Sequence, residues 1–411
     1  MLSNKCSSVK PFFSAAVRFG PMKRVWANRA VMQLVSPAVL LAWAIGSAGL
    51  GSVVGLSWQP WQHLAGVFDL AGPRSDGRLV TAAGGQLFLV TRDGTITPFA
   101  DGPGGYKAPS GPESYIALSP GLHVAGASCD FAPDDLFVLR PGKPLGITRV
   151  DPGGHATNFA DIAGVDSLNG IAFDTVGRFD HRLLVTGPHN QHSTVLAIDC
   201  KGGVVPVTDA APPLEGGLTV APPGFGTYAG ELIAPDENSG VMLAITATGH
   251  SSVLVASGIP DGGDIGVESA GFVPPGFSGG GTAYVADRGT ANNPHPGTDT
   301  ILRLSSTAVT GAGVRDGDLL VAAEGGAVTI DVRCATTCTT TTIVPTATTA
   351  HIEGHLIMIA NQPHPTPSAL PAVPDLGSQR AQLLFRVGIG VVVAAALFFL
   401  VAVRMRRAGR R

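Results

Sequence analysis

Short apolar, β-branched runs separated by polar, Gly-rich turns fill most of the chain. A strand, a loop, a second strand and a Gly-containing turn recur as Arg78-Leu79-Val80-Thr81 with Leu87 to Thr91 and Asp93-Gly94. They recur again as Arg182 to Thr186 with Val195 to Asp199 and Gly202-Gly203. Six such units are legible. Anchoring them on Leu79, Phe137, Leu184, Leu232, Tyr284 and Leu320 gives intervals of 58, 47, 48, 52 and 36 residues, the scale of one four-stranded propeller blade. No helical periodicity interrupts them, which disfavours a parallel α/β sheet. The expectation is an all-β fold, a six-bladed β-propeller.

A further strand precedes most units in its own register. Glu113-Ser114-Tyr115-Ile116-Ala117-Leu118, Glu215-Gly216-Gly217-Leu218-Thr219-Val220 and Glu268-Ser269-Ala270-Gly271-Phe272-Val273 place a Glu at one offset from the apolar positions. Leu168-Asn169-Gly170-Ile171-Ala172-Phe173 follows the pattern with Leu in the Glu position, and Glu353-Gly354-His355-Leu356-Ile357-Met358 repeats it after the last unit. A late inner strand is what ring closure needs, because a propeller joins its last blade to its first by sharing strands between the chain ends. Glu353 completes either the first blade or the sixth, since His63 to Leu70 also reads as an inner strand.

Composition agrees with this pattern. Gly 55 and Pro 32 in 411 residues, with 14% charged, argue against a helical bundle or coiled coil. The net charge of −3 conceals an uneven distribution. Lys5, Lys10, Arg18, Lys23, Arg24 and Arg29, with Arg386, Arg404, Arg406, Arg407, Arg410 and Arg411, sit at the two ends. Setting these 12 of 27 cations aside leaves 15 against 30 carboxylates, a net of −15 for the middle. Such a body repels nucleic acid, which is excluded as a partner.

Two apolar segments stand outside the repeats. Ala30 to Leu56 carries no charge, follows the basic leader and ends in small residues around Gly46-Ser47-Ala48, as a secretory signal or an uncleaved anchor does; Met22 is an alternative start. Val387 to Val403 is 17 uncharged residues between Arg386 and the terminal Arg cluster, near the minimum for a span. The positive-inside rule puts that cluster in the cytoplasm and the acidic body outside the cell. Between them, Pro363, Pro365, Pro367, Pro371 and Pro374 favour an extended spacer. The expected organisation is a leader with signal peptide or signal anchor (1–56), a propeller ectodomain (57–361), a Pro-rich stalk (362–383), a C-terminal transmembrane helix (384–404) and a basic cytoplasmic tail (405–411). The expected location is the cell membrane.

Cys129, Cys200, Cys334 and Cys338 lie in the exported body, where disulfides persist. Four thiols allow three pairings; the preferred one joins Cys334 to Cys338 and Cys129 to Cys200.

The repeat spacing and phrases such as Asn169-Gly170-Ile171-Ala172-Phe173-Asp174 resemble the six-bladed propellers that include gluconolactonases, regucalcin-like proteins and strictosidine synthase-like proteins, over roughly His63 to Ala360. That family's lactonases hold a divalent cation, usually calcium, over the central channel with a Glu, Asn and Asp set. The resemblance implies Glu113 and Asn169 as two of its ligands. The family's second Asn and its Asp find no clear counterparts here.

Read from the residues alone, parallel inner strands bring Glu113, Glu215, Glu268 and Glu353 to one mouth of the channel. Clustered carboxylates repel, so a bound cation, raised pKa values or backbone N–H donors must offset the cost. The period-two rule places His351, Glu353 and His355 on one strand face. Oxygen ligands suit calcium, whereas two imidazoles favour zinc or manganese. The alternative is structural: each Glu clasps backbone groups and the histidines cap polar edges.

Loops joining second and third strands are expected on the same face, carrying His189 and His192, Asp236 and Glu237, and Asp287 with His295, as a ligand surface or as solvated loops. Gly276-Phe277-Ser278-Gly279-Gly280 matches a G-x-S-x-G elbow but lies in a Pro- and Gly-rich turn with no following helix, which rejects it as a nucleophile. Two function classes stand. One is a membrane-anchored extracellular binding or interaction module for an unknown extracellular ligand or protein; the other is a metal-dependent lactonase or esterase-like hydrolase.

Overall fold

The computed structural model describes residues 56–108 and 114–361. Six four-stranded antiparallel sheets stand around a central axis. From the axis outward, the first blade is Val67–Ala71, Leu79–Ala83, Gln86–Val90 and Ile96–Phe99. The second is Ile116–Leu118, Leu136–Arg140, Gly146–Val150 and Ala156–Asp161; the third is Gly170–Phe173, Leu183–His189, His192–Ile198 and Val204–Ala211. The fourth is Thr219–Val220, Leu232–Asp236, Val241–Ile245 and Ser251–Ala256. All six sequence anchors fall in the second strands of blades, as expected of an all-β, six-bladed propeller.

The last two blades are interlaced. The fifth consists of Val267–Phe272, Leu319–Ala323, Thr329–Cys334 and Cys338–Val344, yet Gly281–Asp287 and Thr300–Ser305 depart between its first and second strands. Those two are the middle strands of the sixth blade, whose inner strand is Ile352–Ala360 and whose outer strand is Gln59–His63. The anchors at Tyr284 and Leu320 therefore belong to the sixth and fifth blades in reverse of chain order, which explains their short interval. Ring closure is thereby assigned to the sixth blade, with both chain ends contributing a strand and Val67–Ala71 serving as the first blade's own inner strand.

Apolar side chains fill the wedges between blades. Between the second and third, Phe131, Phe137 and Phe173 meet edge to face at 5.0–5.5 Å between centroids, a geometry that satisfies the ring quadrupoles. The α-helix among the described residues is one short piece, Ser306–Gly311, started by Ser305 accepting a hydrogen bond from the Ala308 amide. No helix among the described residues is long and apolar enough to cross a membrane. The leader, stalk, candidate transmembrane helix and tail lie outside the described residues.

Both preferred disulfides are formed. Cys129–Cys200 ties a small hairpin that follows the second blade's inner strand (His123–Val124 with Cys129–Asp130) to the third blade, and Cys334–Cys338 closes the fifth blade's outer turn. Loop-closure entropy ranks them: a separation of 71 residues corresponds to about 4 kcal/mol and one of 4 residues to about 2 kcal/mol. Replacing Cys129 and Cys200 together with Ala is thus expected to lower stability about twice as much as replacing the other pair, as read by urea unfolding; equal losses would contradict this ranking.

Two glycines let the inner strands approach at the hub. Gly354 has φ +68°, and a Cβ there would lie 2.3 Å from Asp69 Oδ1. Gly216 has φ +87°, and its Cβ would lie 2.4 Å from Glu268 Oε2. Both positions need a residue without a side chain.

Candidate functional site at the acidic channel mouth

The residue at the end of a second strand and the residues at the start of an inner strand reach the same end of the ring. In the sixth blade, Glu353 is opposite Ala286, at the end of Gly281–Asp287. Glu237 follows the second strand of the fourth blade, Glu324 that of the fifth and Arg288 that of the sixth. With Tyr115, Glu215, Asp264, Glu268, Thr290 and His351 they line a cavity of about 190 Å³. Among the described residues, six carboxylates thus share a small space in which Arg288 and His351 are the only lining cations.

His351 is the centre of this set. It is 1% exposed, and its Nε2 lies 2.9 Å from Glu324 Oε1 and 3.4 Å from Glu353 Oε1. Glu353 Oε1 also accepts a hydrogen bond from Arg288 Nη1 at 2.8 Å. Burial pulls the His351 pKa down, but the hydrogen bonds and charges of Glu324 and Glu353 outweigh it and raise the value to about 9. Glu268 accepts a hydrogen bond from Tyr115 Oη at 2.8 Å, and burial, then the charges of Glu353, Glu324 and Glu215, hold its carboxyl well above the usual range. Glu237 is pushed up to about 8 by burial and by the facing Glu324 carboxyl, and burial raises Glu324 as well.

These shifts have a sign. A group whose folded pKa is raised contributes stability that is complete below its ordinary value and disappears as pH climbs through the raised one. For Glu237 that window runs from 4.5 to about 8, and for His351 from 6.5 to about 9. In chelator, the melting temperature is expected to fall across this range, and Glu237→Gln to flatten its lower part. A curve for the variant that parallels the parent would contradict the assignment.

Glu324, His351 and Glu353 offer ligand atoms that all lie within 4.8 Å of one another. The His351 Nδ1 and Glu237 Oε1 atoms are buried without hydrogen-bond partners. One nitrogen and two or more carboxylate oxygens, with excess negative charge around them, are a donor set that fits a divalent cation.

The sequence-derived candidates separate into groups. Glu215, Glu268, His351, Glu353 and Glu237 converge at the mouth, and Glu113 lies outside the described residues. His355 does not join them. Between Tyr284, which pairs with Ile357, and Ala286, which pairs with Glu353, the inner strand of the sixth blade bulges, and the alternation that would align His351, Glu353 and His355 is lost. His355 Nδ1 instead lies 2.9 Å from Asp69 Oδ1, and its Nε2 lies 2.8 Å from the Ile171 carbonyl, so neither nitrogen is free for a cation. The Asn169 amide is likewise engaged, donating to the Leu214 carbonyl at 2.6 Å and accepting from Thr186 Oγ1 at 3.1 Å. Asp287 is buried beside the mouth, accepting from the His351 amide at 2.8 Å and the Thr298 hydroxyl at 2.5 Å. Asp236 binds the Ser239 hydroxyl at 2.5 Å, and His295 Nδ1 lies 2.6 Å from the Thr348 carbonyl. His189 and His192 stand at the turn of the third blade, away from the cavity.

Glu324, Asp264, Arg288, Tyr115 and Thr290 escaped the sequence reading. A signal for two of them exists: Glu324 and Arg288 occupy the position after a second strand that Glu237 also occupies.

No protein-family model and no curated protein matches the chain. Several solved structures are distantly similar to it. A virginiamycin B lyase from Staphylococcus aureus is 12% identical over 70% of this chain and 73% of its own, with a TM-score of 0.39. A gluconolactonase from Xanthomonas campestris is 15% identical over 69% of this chain and 78% of its own, with a TM-score of 0.40. A protein described as a glucose dehydrogenase-type oxidoreductase from Thermus thermophilus is 16% identical over 70% of this chain and 87% of its own, with a TM-score of 0.37. At these identities and scores the likeness transfers no activity to this chain.

Proposed function

We propose that this protein is a membrane-anchored extracellular propeller that binds its ligand through a divalent cation held at the channel mouth by Glu324, His351 and Glu353. The supporting observation is the convergence of six carboxylates on a cavity of about 190 Å³ with one Arg and one His to balance them. A bound cation would offset that repulsion. Oxygen-rich coordination that includes Glu237 favours calcium; retention of the His351 nitrogen favours zinc or manganese.

The anchoring proposal draws on the uncharged run from Val387 to Val403 and the Arg cluster behind it, a pattern that favours a cytoplasmic C-terminus. The inner strand of the sixth blade starts at the mouth and runs away from it, so Ala360 pairs with Gly281 at the opposite face of the ring. In this reading the Pro-rich spacer after that face would turn the mouth away from the bilayer, toward a ligand or a protein outside the cell.

The test is metal analysis of the full-length chain after dialysis against calcium, zinc and manganese. About one ion per chain is expected, with loss of at least tenfold in affinity for the Glu324→Gln, Glu353→Gln double variant. Absence of stoichiometric metal, with melting indifferent to chelator, would sink the reading.

A second reading is hydrolysis of a lactone or related ester, and one observation favours it. Glu237, facing the candidate ligand Glu324, keeps a proton into the neutral range, as a general acid must. A bound cation would supply polarisation of the substrate carbonyl. The chain's own part would be for Glu237 to donate its proton to the departing oxygen and for Asp264, a lining carboxylate outside the ligand set, to take a proton from the attacking water. Chelator-sensitive turnover of lactones or aryl esters, lost in Glu237→Gln, is the outcome that separates this reading from binding alone.

A further inference from the structure

A second cavity, of about 350 Å³, opens over the second blade on the same face as the mouth, and its chemistry is the reverse. Lys107, Arg140 and Lys143 line it together with Tyr106, Thr148 and Asn158, and no carboxylate among the described residues does. Arg140 is placed firmly. Its Nε donates to the Pro144 carbonyl at 3.0 Å and its Nη1 to Asn158 Oδ1 at 2.6 Å, while its Nη2 meets Asp161. The guanidinium lies across Gly146, where a Cβ would come within 2.5 Å of Nη2. Three of its five N–H groups are thereby used, which leaves two for a ligand.

Lys107 and Lys143 are exposed and form no ion pair among the described residues, although carboxylates outnumber cations two to one in the body. Asp161 balances Arg140, so the two lysines give the cavity a net positive charge within a negative field. Beside these cations stand hydroxyl and amide groups suited to a ligand's own hydroxyls. The volume falls at the lower end of the range for small-molecule sites.

We infer that the Lys107–Arg140–Lys143 cavity binds an anionic sugar, whose carboxylate or sulfate pairs with the lysines and Arg140 and whose hydroxyls meet Thr148 and Asn158. This site does not depend on a cation at the mouth, and the two stand or fall separately.

Titration calorimetry on the full-length chain in non-ionic detergent tests it, with digalacturonate, a monosulfated hexose and neutral maltose as probes. At least one anionic sugar is expected to bind roughly tenfold or more tighter than maltose, weakening as salt rises. Which of the two binds identifies the anionic group. The Lys107→Ala, Lys143→Ala variant is expected to lose roughly tenfold to a hundredfold in affinity with an unchanged melting curve. Failure of both anionic sugars to bind, equal binding of maltose, or undiminished binding by the variant would overturn the inference.

Discussion

Replacing Asp69 with Leu is expected to lower the stability of the ring by about 3–5 kcal/mol, the cost of leaving a buried charge without its partner. Asp69 is 0% exposed on the first blade's inner strand. Its Oδ1 accepts from the amides of Leu70 and His355, each at 2.7 Å, and its Oδ2 accepts from the Ile116 amide at 2.7 Å. The His355 ring completes the clasp, with Nδ1 on Asp69 and Nε2 on the Ile171 carbonyl. One carboxylate and one imidazolium therefore join the first, second, third and sixth blades at the axis. Burial works against the charged imidazole, but Asp69 and the Ile171 carbonyl prevail and raise its pKa. The pair's contribution is complete below the ordinary imidazole value and lost as pH passes the raised one. Urea unfolding at pH 6 measures the effect; a loss under about 1 kcal/mol would show the clasp to be dispensable.

A chain stopped after Ala350 is expected not to fold, whereas one stopped after Asn361 keeps a cooperative transition. The difference is the strand Ile352–Ala360, which carries the buried apolar side chains Ile352, Leu356, Met358 and Ile359. At about 1.5–3 kcal/mol for each such side chain, its removal costs as much as a domain's whole net stability. It also takes away His355 and uncovers the edge of Gly281–Asp287, a template for aggregation. Circular dichroism melting and limited proteolysis of both truncations decide the point. A cooperative melt for the shorter chain would mean that closure through the sixth blade is not required.

The strand repeat was legible because it rests on local alternation, which each blade expresses by itself. Leu79, Phe137, Leu184, Leu232, Tyr284 and Leu320 all lie on second strands for that reason. What alternation does not encode is which sheet a strand joins, so the exchange between the fifth and sixth blades was invisible. The glutamates at inner-strand starts were legible as a register, and Glu215, Glu268 and Glu353 do meet at the mouth. Their partners were not, because Arg288, Glu324 and Asp264 come from loops whose convergence depends on the ring. His355 was misplaced by a bulge, where Gly354 at φ +68° allows the backbone to turn toward Asp69. A strict period of two fails at such a position.

The interlacing of the last two blades bears on how the gene can change. In a ring whose blades are contiguous in sequence, unequal recombination adds or removes one repeat and leaves intact sheets behind. Here a cut on either side of Gly281–Asp287 divides two sheets at once. An exchange across that stretch keeps whole sheets only if it carries both blades together.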